Sequence, residues 1–192
     1  MRQAPSCHAP ALGRVLSLST WRDEKAVIRW RTLAVHHEVQ EKGRFEVFAD
    51  YHLRVGEIIE DTDVPPGQDL RQQRFDSTEV GEAQVVSITE IQPVNPEAPT
   101  DVTAFLTEQP HGVEGLVDLE RYDSIYTKGK VLWLAAWRDE AALEAWLKHH
   151  PQAVQGPVEA TMRRRTVRII RDYGMFDRRE APQYYPPVER RT

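Results

Sequence analysis

The chain of 192 residues has a single cysteine, Cys7. It can form no internal disulfide and cannot by itself build a structural zinc site. Long apolar runs are missing too. The longest, Val131 to Trp137, falls far short of the roughly 20 residues that a membrane-spanning helix needs, so a soluble protein with no membrane partner is expected. The first residues, Met-Arg-Gln-Ala-Pro-Ser-Cys-His-Ala-Pro, have no apolar core of the kind a secretory signal requires, and the expected compartment is the cytoplasm. There is no nucleotide-binding glycine motif, no His-x-x-x-His pair and no cluster with metal-ligand spacing, so neither a cofactor nor a metal site is expected. Positive charge is not in excess either. A net charge of −5 argues against nucleic acid as a partner, because a polyanion gains nothing from an acidic protein. The local exception, Arg163-Arg164-Arg165, reads as the solvated start of a strand, since alternate side chains of an extended chain point to opposite faces.

What the chain does have is a repeat. With 40% hydrophobic residues it can bury the core of one large domain or two small ones. Setting Gly13-Arg14-Val15-Leu16 against Gly129-Lys130-Val131-Leu132 brings Trp21-Arg22-Asp23-Glu24 onto Trp137-Arg138-Asp139-Glu140 without a gap, and then Trp30 onto Trp146. Each copy starts with an apolar run suited to a buried strand, Val15 to Trp21 and Val131 to Trp137. Each Asp is placed to cap a helix whose first turn carries a Glu. Val27, Trp30, Leu33, Ala34 and His37 fall at helical spacing in the first copy, and Ala142, Leu143, Trp146, Leu147 and His150 in the second. A long strand follows in both, ending in Ile58-Ile59-Glu60-Asp61 and Ile169-Ile170-Arg171-Asp172. In the first it reads from Phe45 through Val47, Ala49, Tyr51 and Leu53 to Val55 as alternating residues.

Ahead of the second copy, Gln84 to Gln92 reads as a strand, Thr100 to Gln109 as a helix and Leu116 to Tyr126 as a strand. The order β-α-β-β-α-β is ferredoxin-like. The first copy lacks this front half, so either the start of the chain is incomplete or a neighbouring unit completes its sheet. The expected organisation is an incomplete unit over 1–61, a linker over 62–82, a complete ferredoxin-like unit over 83–176 and an extended tail over 177–192. The fold class is α+β, an antiparallel sheet with helices on one face.

These residues resemble the antibiotic biosynthesis monooxygenase (ABM) family of dimeric α+β barrels. The match runs through Leu16 to Glu24, Trp30-Arg31, His36-His37, Gln40, Gly43-Arg44 and Phe48 to Val55, and again through Leu132 to Trp146 and Arg168 to Tyr173. The resemblance implies ferredoxin-like units whose sheets pack into a barrel, here as a tandem dimeric α+β barrel within one chain or in a homodimer. It implies a pocket between helix and sheet, complete in the second copy if only in one. It also implies a cofactor-independent monooxygenase that takes molecular oxygen and an aromatic, enolisable small molecule, a polyphenol or quinone precursor. Haem-degrading relatives would need a His about ten residues beyond the helix Trp. Gln40 and Gly156 stand there.

Trp30 and Trp146 are then candidate substrate walls, although large aromatics at helical spacing also serve simply as core. His37 and His150 are the candidate bases, with side chains suited to proton transfer near neutral pH; a helix-terminal His is also favoured by the dipole alone. Of the neighbours His36 and His37, an unbroken helix puts His37 on the stripe of Trp30. Tyr51 and Arg54 on the long strand, and Tyr122 beside the second pocket, are further substrate-binding candidates, Arg54 to stabilise a phenolate or enolate. The alternative is a non-catalytic α+β barrel for ligand binding or assembly, in which these residues only pack.

Overall fold

A computed structural model describes residues 7–9, 13–97, 110, 112–156 and 159–189. In chain order they form β1 (Cys7–Ala9), β2 (Arg14–Leu16), α1 (Glu24–Arg31), α2 (Ala34–Lys42), a π-helical turn (Gly43–Val47) and β3 (His52–Asp61). Then come β4 (Val85–Pro93), β5 (Leu116–Ser124), β6 (Val131–Trp137), α3 (Glu140–His149), α4 (Pro151–Gln155) and β7 (Ala160–Gly174). The architecture is α+β. All seven strands share one sheet in the order β2-β1-β5-β6-β4-β7-β3, and every neighbouring pair is antiparallel. Within it, β4 to β7 stand as fourth, first, third, second, the ferredoxin-like arrangement. The helix expected over Thr100 to Gln109 lies outside the described residues. No described helix is long and apolar enough to cross a membrane.

Strand β6 explains why the second Trp-Arg-Asp-Glu is structural. It lies between β5 and β4, and alternation sends its side chains to opposite faces. Leu132 and Ala136 join Val86, Ile88, Tyr122 and Ile169 in one core, with Leu16 and Leu18 packed on it. Ala135 and Trp137 join Val85, Ala142, Leu143 and Trp146 in the other, beneath α3. The Trp137 ring is fully buried, and its indole N–H donates to Ser87 Oγ at 3.0 Å.

The two motifs have the same local bonds. Asp23 and Asp139 each accept from the backbone N–H three residues on, Ala26 and Ala142, at 2.8 Å, and each is gripped by the preceding arginine at 3.0 Å. These hydrogen bonds, backbone first, hold both carboxyls below the usual carboxylate range. Past the cap they part. Helix α3 buries Ala142, Leu143 and Trp146, whereas α1 buries nothing fully.

Two stretches differ from the sequence reading. The single helix expected to carry Trp30 and His37 is broken: Thr32 Oγ1 donates back to the Ile28 carbonyl at 3.0 Å, a bond that bends helices, and Leu33 is extended with ψ 131. The strand expected from Phe45 begins only at His52, because Gly43–Val47 closes a π turn through Phe48 N–H to the Gly43 carbonyl at 2.9 Å. A Cβ at Gly43 would meet the Phe48 ring at 3.0 Å. Helix α3 ends at His149, and Pro151 then opens the short α4, which its fixed φ and missing N–H permit at a first turn.

Strand β3 pairs with β7 from His52↔Gly174 to Asp61↔Arg165, with irregularities at Val55/Gly56 and Ile58/Glu60. Gly56 is needed at the first, where a Cβ would come within 2.5 Å of the Arg168 carbonyl. The arginine run is not a solvated strand start. Arg163 bonds the buried Asp61 at 2.6 Å, and Arg165 is buried against Glu90 at 2.8 Å. Trp137→Ala should cost about 3–5 kcal/mol in urea unfolding, and Trp30→Ala, on the partly exposed α1, less than half as much.

Candidate active site

Arg44 organises the end of the sheet where β3 begins and β7 ends. It is 4% exposed. Its Nη1 donates to the Tyr51 hydroxyl and to the Met175 carbonyl, both at 2.9 Å, and its Nη2 donates to the Pro186 carbonyl at 3.1 Å. The π turn makes this possible, since the extra residue in the turn re-aims a side chain that an α-helix would direct elsewhere. A second guanidinium, Arg178, reaches the same phenol: its Nη1 donates to Tyr51 at 2.8 Å and its Nη2 to the Gln183 carbonyl at 2.9 Å. Both guanidiniums lie over the Tyr185 ring, at 5.8 and 5.2 Å from its centroid. Such stacking favours a cation where water is excluded.

Residues 178–189 form neither helix nor strand, yet this segment folds back on the sheet and buries Tyr185. With Arg44, Met175 and Arg178 it walls a cleft of about 380 Å³, a size that suits a small organic molecule. At one wall, the Tyr185 hydroxyl and His37 Nδ1 share a hydrogen bond at 2.9 Å, and the hydroxyl also stands 3.3 Å from Gln40 Oε1. The other ring nitrogen of His37, Nε2, is 3.7 Å from Glu41. Burial pushes the Tyr185 and Tyr173 phenols up, so both stay protonated at neutral pH.

None of the expected residues lines this cleft; His37 and Tyr51 stand behind its wall, His37 bonded to Tyr185 and Tyr51 to both arginines. Trp30 does not share a stripe with His37. The helix break resets the phase, and Trp30 contacts Trp21 at 5.1 Å and His36 at 3.6 Å between ring centroids. Burial pushes His36 down. Arg54 is anchored away from the cleft, its Nε donating to Asp172 at 3.0 Å, and His52 bonds the other Asp172 oxygen.

The second set does not enclose a comparable space. Trp146 is buried between Trp137 at 5.7 Å and His150 at 5.1 Å. The His150 Nδ1–H donates to the Trp146 carbonyl at 2.8 Å, and the gap left under α3 is about 10 Å³, room for one water at most. Tyr122 belongs to the core on the opposite face of the sheet from Trp146. Burial and a hydrogen bond to Glu120 push its phenol up. The residues that the sequence reading missed are Arg178 and Tyr185, and the available signal was an aromatic pair, Tyr184-Tyr185, in a tail otherwise rich in proline and charge.

No family model matches the chain. The Jasmonate monooxygenase ABM of Pyricularia oryzae is 38% identical over 182 residues, covering 92% of this chain and 78% of its own. A conserved protein of known structure from Methanosarcina mazei Go1 aligns with 43% of this chain and 92% of its own, at 17% identity and a TM-score of 0.31. Fold and cleft define an α+β protein of ferredoxin-like strand order with an open cleft at one end of its sheet. The chain belongs to the ABM monooxygenase family.

Asp172 supplies a pH test of this end of the sheet. Burial acts to raise its carboxyl, but the bonds from His52 and Arg54 prevail and hold it below the usual range. A depressed folded pKa adds stability above the ordinary carboxylate value, which is lost as pH falls through the folded one. Asp172→Asn should therefore lower stability by roughly 2–3 kcal/mol at neutral pH. The gap to wild type should shrink below about pH 4 in urea melts; a gap independent of pH would contradict the assignment.

Proposed function

We propose that the protein is a cofactor-independent monooxygenase acting on an aromatic, enolisable small molecule in the cleft beside Tyr51 and Tyr185. One observation carries the reading: Tyr185, a wall of the cleft, shares a hydrogen bond with His37 Nδ1, to which the phenol donates in the Nε2–H tautomer, and Glu41 faces the other nitrogen of the same ring. This is a base oriented by a third group. A substrate proton arriving at the Tyr185 oxygen displaces the phenol proton to His37, so a buried tyrosine never has to rest as a phenolate, and Glu41 steadies the imidazolium that forms. The field of Arg44 and Arg178 stabilises the carbanion or enolate left behind. Oxygen then reacts with that carbanion. Oxidation of a CH₂ to C=O consumes one O₂ and releases one water, the electrons coming from the substrate itself.

Family membership supports the oxygenase class, and the fungal relative is named for jasmonate, which makes jasmonate a substrate to test beside polyphenols and anthrones. A tandem of 1–61 and 83–176 joined by 62–82 fits the identical bonds of the two Asp caps and belongs to the same proposal. His37 is the base in this reading and His150 a helix-end group held by the Trp146 carbonyl.

The test is oxygen uptake with that substrate panel, with no added metal or flavin. Turnover is expected, and His37→Ala and Tyr185→Phe should each lower kcat by about 10²-fold or more, while His150→Ala leaves it unchanged. No oxygen uptake across the panel, or wild-type rates in His37→Ala, would sink the mechanism.

A further inference from the structure

The cleft holds a surplus of positive charge in the resting protein. Arg44 and Arg178 share one phenol oxygen and one aromatic ring, yet among the described residues neither has a carboxylate within ion-pair distance. Their Nε atoms are buried and without a hydrogen-bond partner. Arg31, whose Nε is also buried without a partner, and Arg171 act on the adjacent Tyr173. The nearby acids are committed elsewhere. Glu41 pairs with His37 and Asp177 with Arg179, while Glu180 accepts from Thr78 and from the backbone N–H groups of Glu79 and Asp172. Tyr173 and Tyr185, with phenols raised by burial, supply no counter-charge.

Like charges this close in a partly dry site repel, and guanidiniums without a counter-ion, buried at Arg44 and half-buried at Arg178, are costly unless an anion completes the site. A transient enolate does not meet that need, because it exists only during turnover. A ground-state anion does. We infer that the substrate carries a permanent carboxylate, and that Arg44 and Arg178 bind it at the wall of the cleft while the enolisable part of the molecule faces Tyr185. This deepens the oxygenase reading of the same cleft and rests on it for the reacting half of the ligand only. Arginine suits the task, since its planar fork matches a carboxylate and its charge persists at any physiological pH. The walls away from the arginines, Phe176, Ala181 and Val188 among them, suit an apolar body behind the anionic end.

The test is calorimetric titration of the intact protein, under nitrogen, with three carboxylates, jasmonate, 3-phenylpropanoate and 2-naphthoate, each against its own methyl ester. At least one acid should bind about tenfold or more tightly than its ester, a ratio that needs no variant. Arg178→Gln, checked for folding by its thermal melt, should erase most of that ratio by weakening the acid more than the ester. Equal affinity of acids and esters, no binding of any pair at millimolar concentration, or an undiminished ratio in folded Arg178→Gln would overturn the inference. Oxygen uptake is read separately. Selective acid binding without turnover supports the anion site while removing the oxygenase; turnover of uncharged substrates together with equal affinity for acids and esters does the reverse.

Discussion

One buried guanidinium, that of Arg44, ties together parts of the chain that would otherwise have no reason to meet. It donates from a π turn to the end of β7, to the phenol ahead of β3 and to the returning tail. Each of those carbonyl or hydroxyl acceptors loses a charge-assisted bond if Arg44 goes, and bonds of that kind count for more than neutral ones. The cleft depends on this knot. Tyr185 is a wall only because the tail is pinned, and His37 has a partner only because Tyr185 is there.

The two copies of Trp-Arg-Asp-Glu have diverged in what they do with the same start. The second leads into a helix that sinks Trp146 into the core and closes the space beneath it. The first leads into a broken pair of helices with few buried side chains. Elements with few buried contacts sit at the low end of local stability, which is where ligand sites are usually found. The cleft belongs to neither half alone, since Arg44 of the first half and residues 175–188 beyond β7 wall it together.

The sequence was most legible where local pattern and final packing agree. Strands β4 to β7 and both Asp caps follow from apolar period and capping chemistry, because each is decided by residues near in sequence. It was least legible where a distant partner decides. The break at Thr32 and Leu33 shifts the helix phase, so His36 rather than His37 meets Trp30. Phe45 to Val47 alternates like a strand but is wound into a turn around an arginine two of whose acceptors, the Met175 and Pro186 carbonyls, lie more than a hundred residues away. The partner of His37 is 148 residues distant, in a tail with no period to read. Arg54, well placed on its strand, is taken up by Asp172 across the β3–β7 pair.

The central claim is that the ligand sits between the π turn and the tail, not beneath α3. A crystal structure of the protein soaked anaerobically with a carboxylate substrate tests it most directly. The account predicts ligand density in the cleft, its carboxylate against Arg44 and Arg178 and its body beside Tyr185. Density against Trp146 under a displaced α3, with the Arg44 cleft empty, would contradict it.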